Sequence, residues 1–182
     1  MMREISLHIM DIVENSIGAN GKNIYLEIDE NKKNNRLKVI INDDGSGIDE
    51  ETLLKVKDPF ITSRKERRVG LGISLFEATC IMCNGKLEIK SEKGKGTEVI
   101  ATLEYDNIDR VPIGKIEETI VAILMNNNLD LIYAHRVDER KFVLNSKEIK
   151  KILKEDIFEV HILNWTKEYI KENLNNIGAE RI

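Results

Sequence analysis

Residues 40–48, IINDDGSGI, decide how this chain reads. An apolar run stops at two acids, and two glycines spaced one residue apart follow. The run belongs to RLKVIINDD (36–44), which alternates apolar and polar side chains like a half-buried strand. KNIYLEID (22–29) alternates in the same way, and the polar ENKKNN (30–35) between them predicts a hairpin loop. Asp43 therefore falls at a strand end, heading a D-x-G-x-G pattern with Gly45 and Gly47, and Ile48 follows. A carboxylate accepts hydrogen bonds and donates none. Glycines lack a Cβ, so the backbone beside that acceptor can turn and approach other groups closely.

Upstream, residues 4–19 carry Ile5, Ile9, Ile12, Val13 and Ile17 at helical spacing. Glu4, His8, Asp11 and Asn15 fall on the opposite, polar side. Asp11 and Asn15 stand one turn apart and are stacked neighbours. Gly18 and Ala19 close the helix. Downstream, GSGIDEETLLKVK (45–57) predicts a turn and a short helix capped by Asp49. DPFITSRKERRVGLG (58–72) predicts a polar loop carrying Thr62, Ser63, Arg64 and Lys65, then Gly70, Leu71 and Gly72. LGISLFEATCIMC predicts a helix stopped at Asn84-Gly85. KLEIKSEKGKGTEVIATLEY (86–105) predicts a second hairpin, turning at GKGT with Thr97.

A first unit thus spans residues 1–105. A smaller α+β extension spans 106–182: a connector with Pro112 and Gly114, a helix, a hairpin turning at Asp138-Glu139, and two helices, the last with a glycine stop. The expected class is an α/β, two-layer α+β sandwich, with a mixed, mostly antiparallel sheet covered by helices on one face.

The 182 residues carry 28 basic and 32 acidic side chains, net −4, which gives no electrostatic footprint for nucleic acid or an anionic membrane. No apolar run approaches the length of a membrane span, and MMREISLHIM does not read as a signal peptide. The expected location is the cytoplasm. Cys80 and Cys83 form a C-x-x-C, but at a helix C-terminus, where the dipole disfavours thiolate; both read as core residues. His135 and His161 read as ordinary surface or core residues, and Trp165 as a packing anchor.

Each glycine motif alone is an ordinary turn. Their order is not: Asp11-x-x-x-Asn15 on a helix, D-x-G-x-G at a strand end, T-S-R…G-L-G in a loop, and G-K-G-T between strands. This order resembles the GHKL, or Bergerat-fold, ATPases, which include gyrase-type topoisomerases, heat-shock chaperone ATPases, MutL-type repair proteins and histidine kinase ATPase domains. The first helix (ENS-I-x-A) is similar to MutL-type proteins; PFITSR…GLGISL…GKGT is similar to histidine kinases.

The resemblance implies ATP and Mg²⁺ as cofactors. It assigns adenine recognition to Asp43, supported by Gly45, Gly47, Ile48 and Thr97. Asn15 becomes the metal ligand, with Gly18 and Ala19 close by. Phosphate contacts fall to Thr62, Ser63, Arg64, Lys65, Gly70, Leu71 and Gly72. Asp11 takes the general-base position, where many members carry the longer glutamate; Arg64 stands where lysine is usual. Turnover is expected to be slow or partner-dependent. With a few residues ahead of the first helix, a phosphoacceptor-histidine hairpin is not expected.

Three roles stay open: a regulatory protein kinase or nucleotide switch, similar in size to anti-sigma factor kinases; an ATPase driving a conformational cycle; or a non-catalytic nucleotide-binding module. A protein partner, or a second copy, is the expected company of the extension, with no nucleic acid and no membrane. The extension also resembles, more faintly, the tail of small ATP-binding proteins encoded beside iron-hydrogenase subunits, although no iron–sulfur cysteine set is present.

Overall fold

The computed structural model describes residues 2–49, 72–153 and 159–180. The described elements are α1 (Ile5–Gly18), β1 (Asn23–Asn31), β2 (Arg36–Asp43), α2 (Gly72–Met82), β3 (Lys86–Glu92), β4 (Gly96–Glu104), α3 (Ile116–Leu124), β5 (Asp130–Val137), β6 (Arg140–Asn145), α4 (Ser146–Leu153) and α5 (Val160–Ile177). The expected short helix after Asp49 lies outside the described residues.

The six strands form one sheet in the order β3-β4-β2-β1-β5-β6. Four pairings are antiparallel. The fifth, β1 with β5, is parallel. A parallel neighbour needs a crossover, which α3 supplies between β4 and β5. The expected mixed, mostly antiparallel sheet is what forms.

Strand periodicity sets the layering. Ile24, Leu26 and Ile28 of β1, and Leu37, Val39 and Ile41 of β2, all point to the helical side and are buried. Their alternates stay partly exposed on the open face. Neighbouring helices pack in the order α2-α1-α3-α5 across the covered face, and α4 packs against β5.

The segment after residue 105 holds the expected helix, hairpin and helices, and these extend the same sheet. One continuous core runs from Ile5 and Ile9 through Leu26 and Tyr133 to Ile170 and Leu174. The connector also completes α1: the free N–H groups of Ile5 and Ser6 donate to the carbonyls of Pro112 and Ile113, each at 2.9 Å. The last helix stops at Gly178, in the left-handed conformation (φ 75°) that glycine adopts most readily.

Candidate nucleotide site

Asp43 ends β2 with its side chain turned to the helical side, 6% exposed. Its Oδ2 accepts the Ser16 hydroxyl at 2.6 Å, and its Oδ1 accepts the Gly45 N–H at 2.9 Å. A carboxylate offers about four acceptor positions, so among the described residues about two remain free. Asp44, beside it, holds three hydrogen bonds. The Lys22 and Asn23 N–H groups and the Asn23 amide hold both its oxygens at 2.6–2.8 Å, and this pulls its carboxyl down to about 2. Asp44 pins the start of β1 to the end of β2.

The backbone around Asp43 is clamped from three sides. Ser46 N–H donates to the Ala19 carbonyl at 2.8 Å, and Gly94 N–H donates to the Ser46 carbonyl at 2.7 Å. Ile48 N–H donates to the Ser91 hydroxyl at 2.8 Å, which lies 2.9 Å from that of Thr97. Gly96 is at φ +96°, and a Cβ there would strike the Asp43 carbonyl, so only glycine lets β4 approach this closely. Gly47 also has positive φ, +65°. Thr97 lies directly across β2 from Asp43, and its hydroxyl engages Ser91 rather than the carboxylate.

One turn of α1 carries the other end of the site. Asp11 and Asn15 are half-buried. The Asn15 side-chain amide has no hydrogen-bond partner among the described residues, so its oxygen is available as a neutral, hard ligand. Gly72, the first residue of α2, lies against Asp11; a Cβ there would come within 2.9 Å of the Asp11 Cβ. Gly18 is exposed at the end of α1. Thr62, Ser63, Arg64, Lys65, Gly70 and Leu71 lie outside the described residues. Among the described residues no cluster of three or more histidines, cysteines or carboxylates could cage a metal, so a cation here would draw on the Asn15 amide, water and the ligand itself.

The family model described as histidine kinase-, DNA gyrase B- and HSP90-like ATPase matches residues 3–107. The chain belongs to this ATPase family. Among its curated relatives, sporulation kinase D of Bacillus subtilis is 33% identical over 97 residues, covering 52% of this chain and 19% of that kinase. The autoinducer 2 sensor kinase/phosphatase LuxQ of Vibrio parahaemolyticus is 28% identical over 120 residues, covering 62% of this chain and 14% of LuxQ. The chain thus spans a minor part of those relatives. A solved structure of the N-terminal domain of a DNA repair protein shares the fold, with TM-score 0.52 at 14% identity over 79% of this chain and 53% of that one.

Two groups around this candidate site, Ser16 and Ser91, escaped the sequence reading. Ser16 positions Asp43; its signal was a serine on the buried stripe, one turn after Ile12, whose carbonyl it also meets at 3.1 Å. Ser91 joins Ile48 to Thr97, with no local signal. His8 needs a correction. The polar side assigned to it is covered by α2, and His8 is fully buried. Its ring stacks on Phe76 at 4.6 Å, and Nε2 lies 3.3 Å from the Thr79 hydroxyl. That hydroxyl already donates to the Leu75 carbonyl, so Nε2 is the donor toward Thr79. Burial lowers the His8 pKa, and the Asp11 charge opposes this more weakly. Cys80 and Cys83 are buried in the core, as expected, and burial pushes Cys80 up to about 12 and Cys83 also upward. A thiol this reluctant to ionise is a poor redox or metal group. Among the described residues no helix is long and apolar enough to cross a membrane.

Proposed function

We propose that this domain binds ATP with Mg²⁺ between Asp43 and the Asp11–Asn15 turn, and acts as a regulatory protein kinase or nucleotide-dependent switch on a partner protein. The observation that carries the reading is the Asp43 carboxylate, buried and only half used. A buried acceptor with free lone pairs costs stability unless a donor arrives. The adenine amino group is such a donor, and the guanine carbonyl at the same ring position is not.

The chain's own residues divide the work. Asp43 orients the base, and the clamp through Ser46, Ile48 and Ser91 keeps the Asp43 loop from yielding. The Asn15 amide oxygen suits a Mg²⁺ ion that keeps several waters. Bound ATP supplies the transferable phosphoryl group. Asp11, one turn away, is placed to accept the proton of an attacking hydroxyl or water. The first N–H groups of α2, beginning at Gly72, favour an anion at that end. The aspartate's short reach favours a slow step that a partner completes. The kinase names of the curated relatives fit phosphoryl transfer.

The test is calorimetric titration with ATP and GTP, with and without Mg²⁺, followed by incubation with γ-labelled ATP and candidate partners. The expected result is Mg²⁺-dependent binding of ATP over GTP and a labelled partner; Asp11→Asn should keep the binding and lose the label. Equal affinity for GTP would refute the Asp43 assignment. Steady phosphate release with no acceptor would favour an ATPase cycle instead. Tight binding with no product would leave a non-catalytic module.

A further inference from the structure

The two edges of the sheet differ. β3 ends the sheet with Lys86, Glu88 and Lys90 at its exposed positions, and Lys90 is paired to Glu98 at 3.0 Å. Such a charged edge resists pairing with another strand. β6 ends the other side with Arg140 and Lys141 exposed at its start and Phe142, Val143 and Leu144 at its centre, and among the described residues it pairs only with β5. Val143 is 51% exposed on the open face. On the covered face, α5 is the outermost helix, beside β6. Its Tyr169 meets the Phe142 ring edge-on at 6.0 Å, and Trp165 stacks on Tyr169 at 5.3 Å. Trp165 is 58% exposed and Tyr169 40%. Among the described residues, an unpaired strand edge with an apolar centre, with Val143 exposed on one face of the sheet and the α5 aromatics on the other, is a joint left open.

We propose that two copies of the chain pair through β6 about a two-fold axis at Val143, with the two α5 helices closing over the seam. A two-fold axis perpendicular to the sheet keeps the covered faces of both copies on one side, as continuous antiparallel pairing requires. Val143 then meets Val143 of the second copy, Phe142 lies opposite Leu144, and Lys141 lies opposite Asn145. No like charges face each other within the strand pair. Beyond the strand, Glu139 in the turn of one copy lies toward Lys147 at the start of α4 of the other; within each copy they also meet Lys33 and Asp130, respectively. Paired strands lie about 4.8 Å apart, and helices packed side by side over a sheet lie about 8–10 Å apart. Joining the edges therefore brings α5 beside its copy and presses Trp165 and Tyr169 into the seam. One operation supplies the missing backbone partners, covers Val143 on one face and covers the aromatic pair on the other. The contact is closed and isologous, so it stops at two copies. It does not depend on the nucleotide reading.

Trp165 is the only tryptophan in the chain, so its emission reports the seam directly. The experiment follows the full chain by light scattering and tryptophan fluorescence across a dilution series without nucleotide. The expected result is a monomer–dimer equilibrium in which Trp165 emission moves to shorter wavelength and resists iodide quenching as the dimer fills. Val143→Lys sets two ammonium groups face to face at the axis and should weaken association by about tenfold or more. Val143→Thr, which keeps a strand-forming side chain, should still dimerise. Val143 points outward, so both variants should keep the parent far-UV spectrum. A chain that stays monomeric, a dimer in which Trp165 remains quenchable, or a dimer indifferent to Val143→Lys would each overturn the proposal. So would a Trp165 that is covered only when a different protein is added.

Discussion

The hairpin of β1 and β2 carries a buried carboxylate at each end, and the two are treated in opposite ways. Asp43, at one end, holds two hydrogen bonds and keeps acceptor positions free. Glu30, at the other, is fully buried and fully used. Its Oε1 takes His135 Nε2–H at 2.7 Å, its Oε2 takes the Tyr105 hydroxyl at 3.0 Å, and the Glu180 N–H reaches both oxygens at 2.9 and 3.0 Å. The carboxylate only accepts, so Nε2 donates, and Nδ1 lies 2.6 Å from the Tyr133 hydroxyl. Arg110 in turn grips the Glu180 carboxylate through two guanidinium nitrogens. Both acids are buried, and burial alone distinguishes neither. The number of empty acceptor positions separates a staple from a receptor.

The widest gap between the two should appear on truncation. Glu30→Ala strands His135, Tyr105 and the chain end, and should cost about 3–5 kcal/mol of stability; chemical denaturation measures it. Nucleotide affinity of the protein that remains folded should hardly move. Asp43→Asn should do the reverse. ATP affinity falls by about 1.5–3 kcal/mol, roughly 10- to 100-fold, in calorimetric titration, while stability changes by about 1 kcal/mol. If each variant moved the other's observable, the distinction between staple and receptor would collapse.

Acid should sharpen the same contrast. Burial alone would raise the Glu30 pKa, but the hydrogen bond and charge of His135, with the Glu180 N–H and Tyr105 hydroxyl, outweigh it and hold the carboxyl below its ordinary 4.5. A carboxyl depressed in the folded state stabilises above its unfolded pKa, and that contribution is lost as pH falls from about 4.5 through the folded value. Denaturation midpoints measured from pH 7 downward should show this loss, and Glu30→Gln should flatten that part of the curve. The smallest effect belongs to Ser16→Ala. It removes one of the two bonds at Asp43 and should cost about 1 kcal/mol, with a several-fold weaker ATP affinity. A larger loss would mean that Ser16 orients Asp43 more strictly than one hydrogen bond implies.

The place of Asp43 at a strand end was readable, and the staple at Glu30 was not. Asp43 announces itself because its glycines follow within four residues and its strand alternates cleanly. Glu30 was read as the first residue of the polar loop ENKKNN. It is instead the inward position two residues after Ile28, in a strand that runs on to Asn31. Its partners lie 75, 105 and 150 residues downstream, and no local pattern links them. His8 misled for the same reason. Helical spacing places it opposite Ile9 and Ile12, and only the arrival of α2 turns that side into a second interior. The extension's helix, hairpin and glycine stop were legible. Its parallel docking of β5 on β1 was not, because nothing in the spacing of a strand names its neighbour.

What the sequence by itself determined was everything that depends on neighbours a few residues apart: strand alternation, helical stripes, the glycine turns at Asp43, and the Asp11–Asn15 pair one turn apart. What only the tertiary structure decided was which polar groups are spent and which are left over. That count depends on donors brought from distant segments, the Ser16 hydroxyl for Asp43 and His135, Tyr105 and Glu180 for Glu30. It is set when the sheet closes and α1 and the chain end dock on it, because a buried acceptor is satisfied only by the donors that folding places beside it.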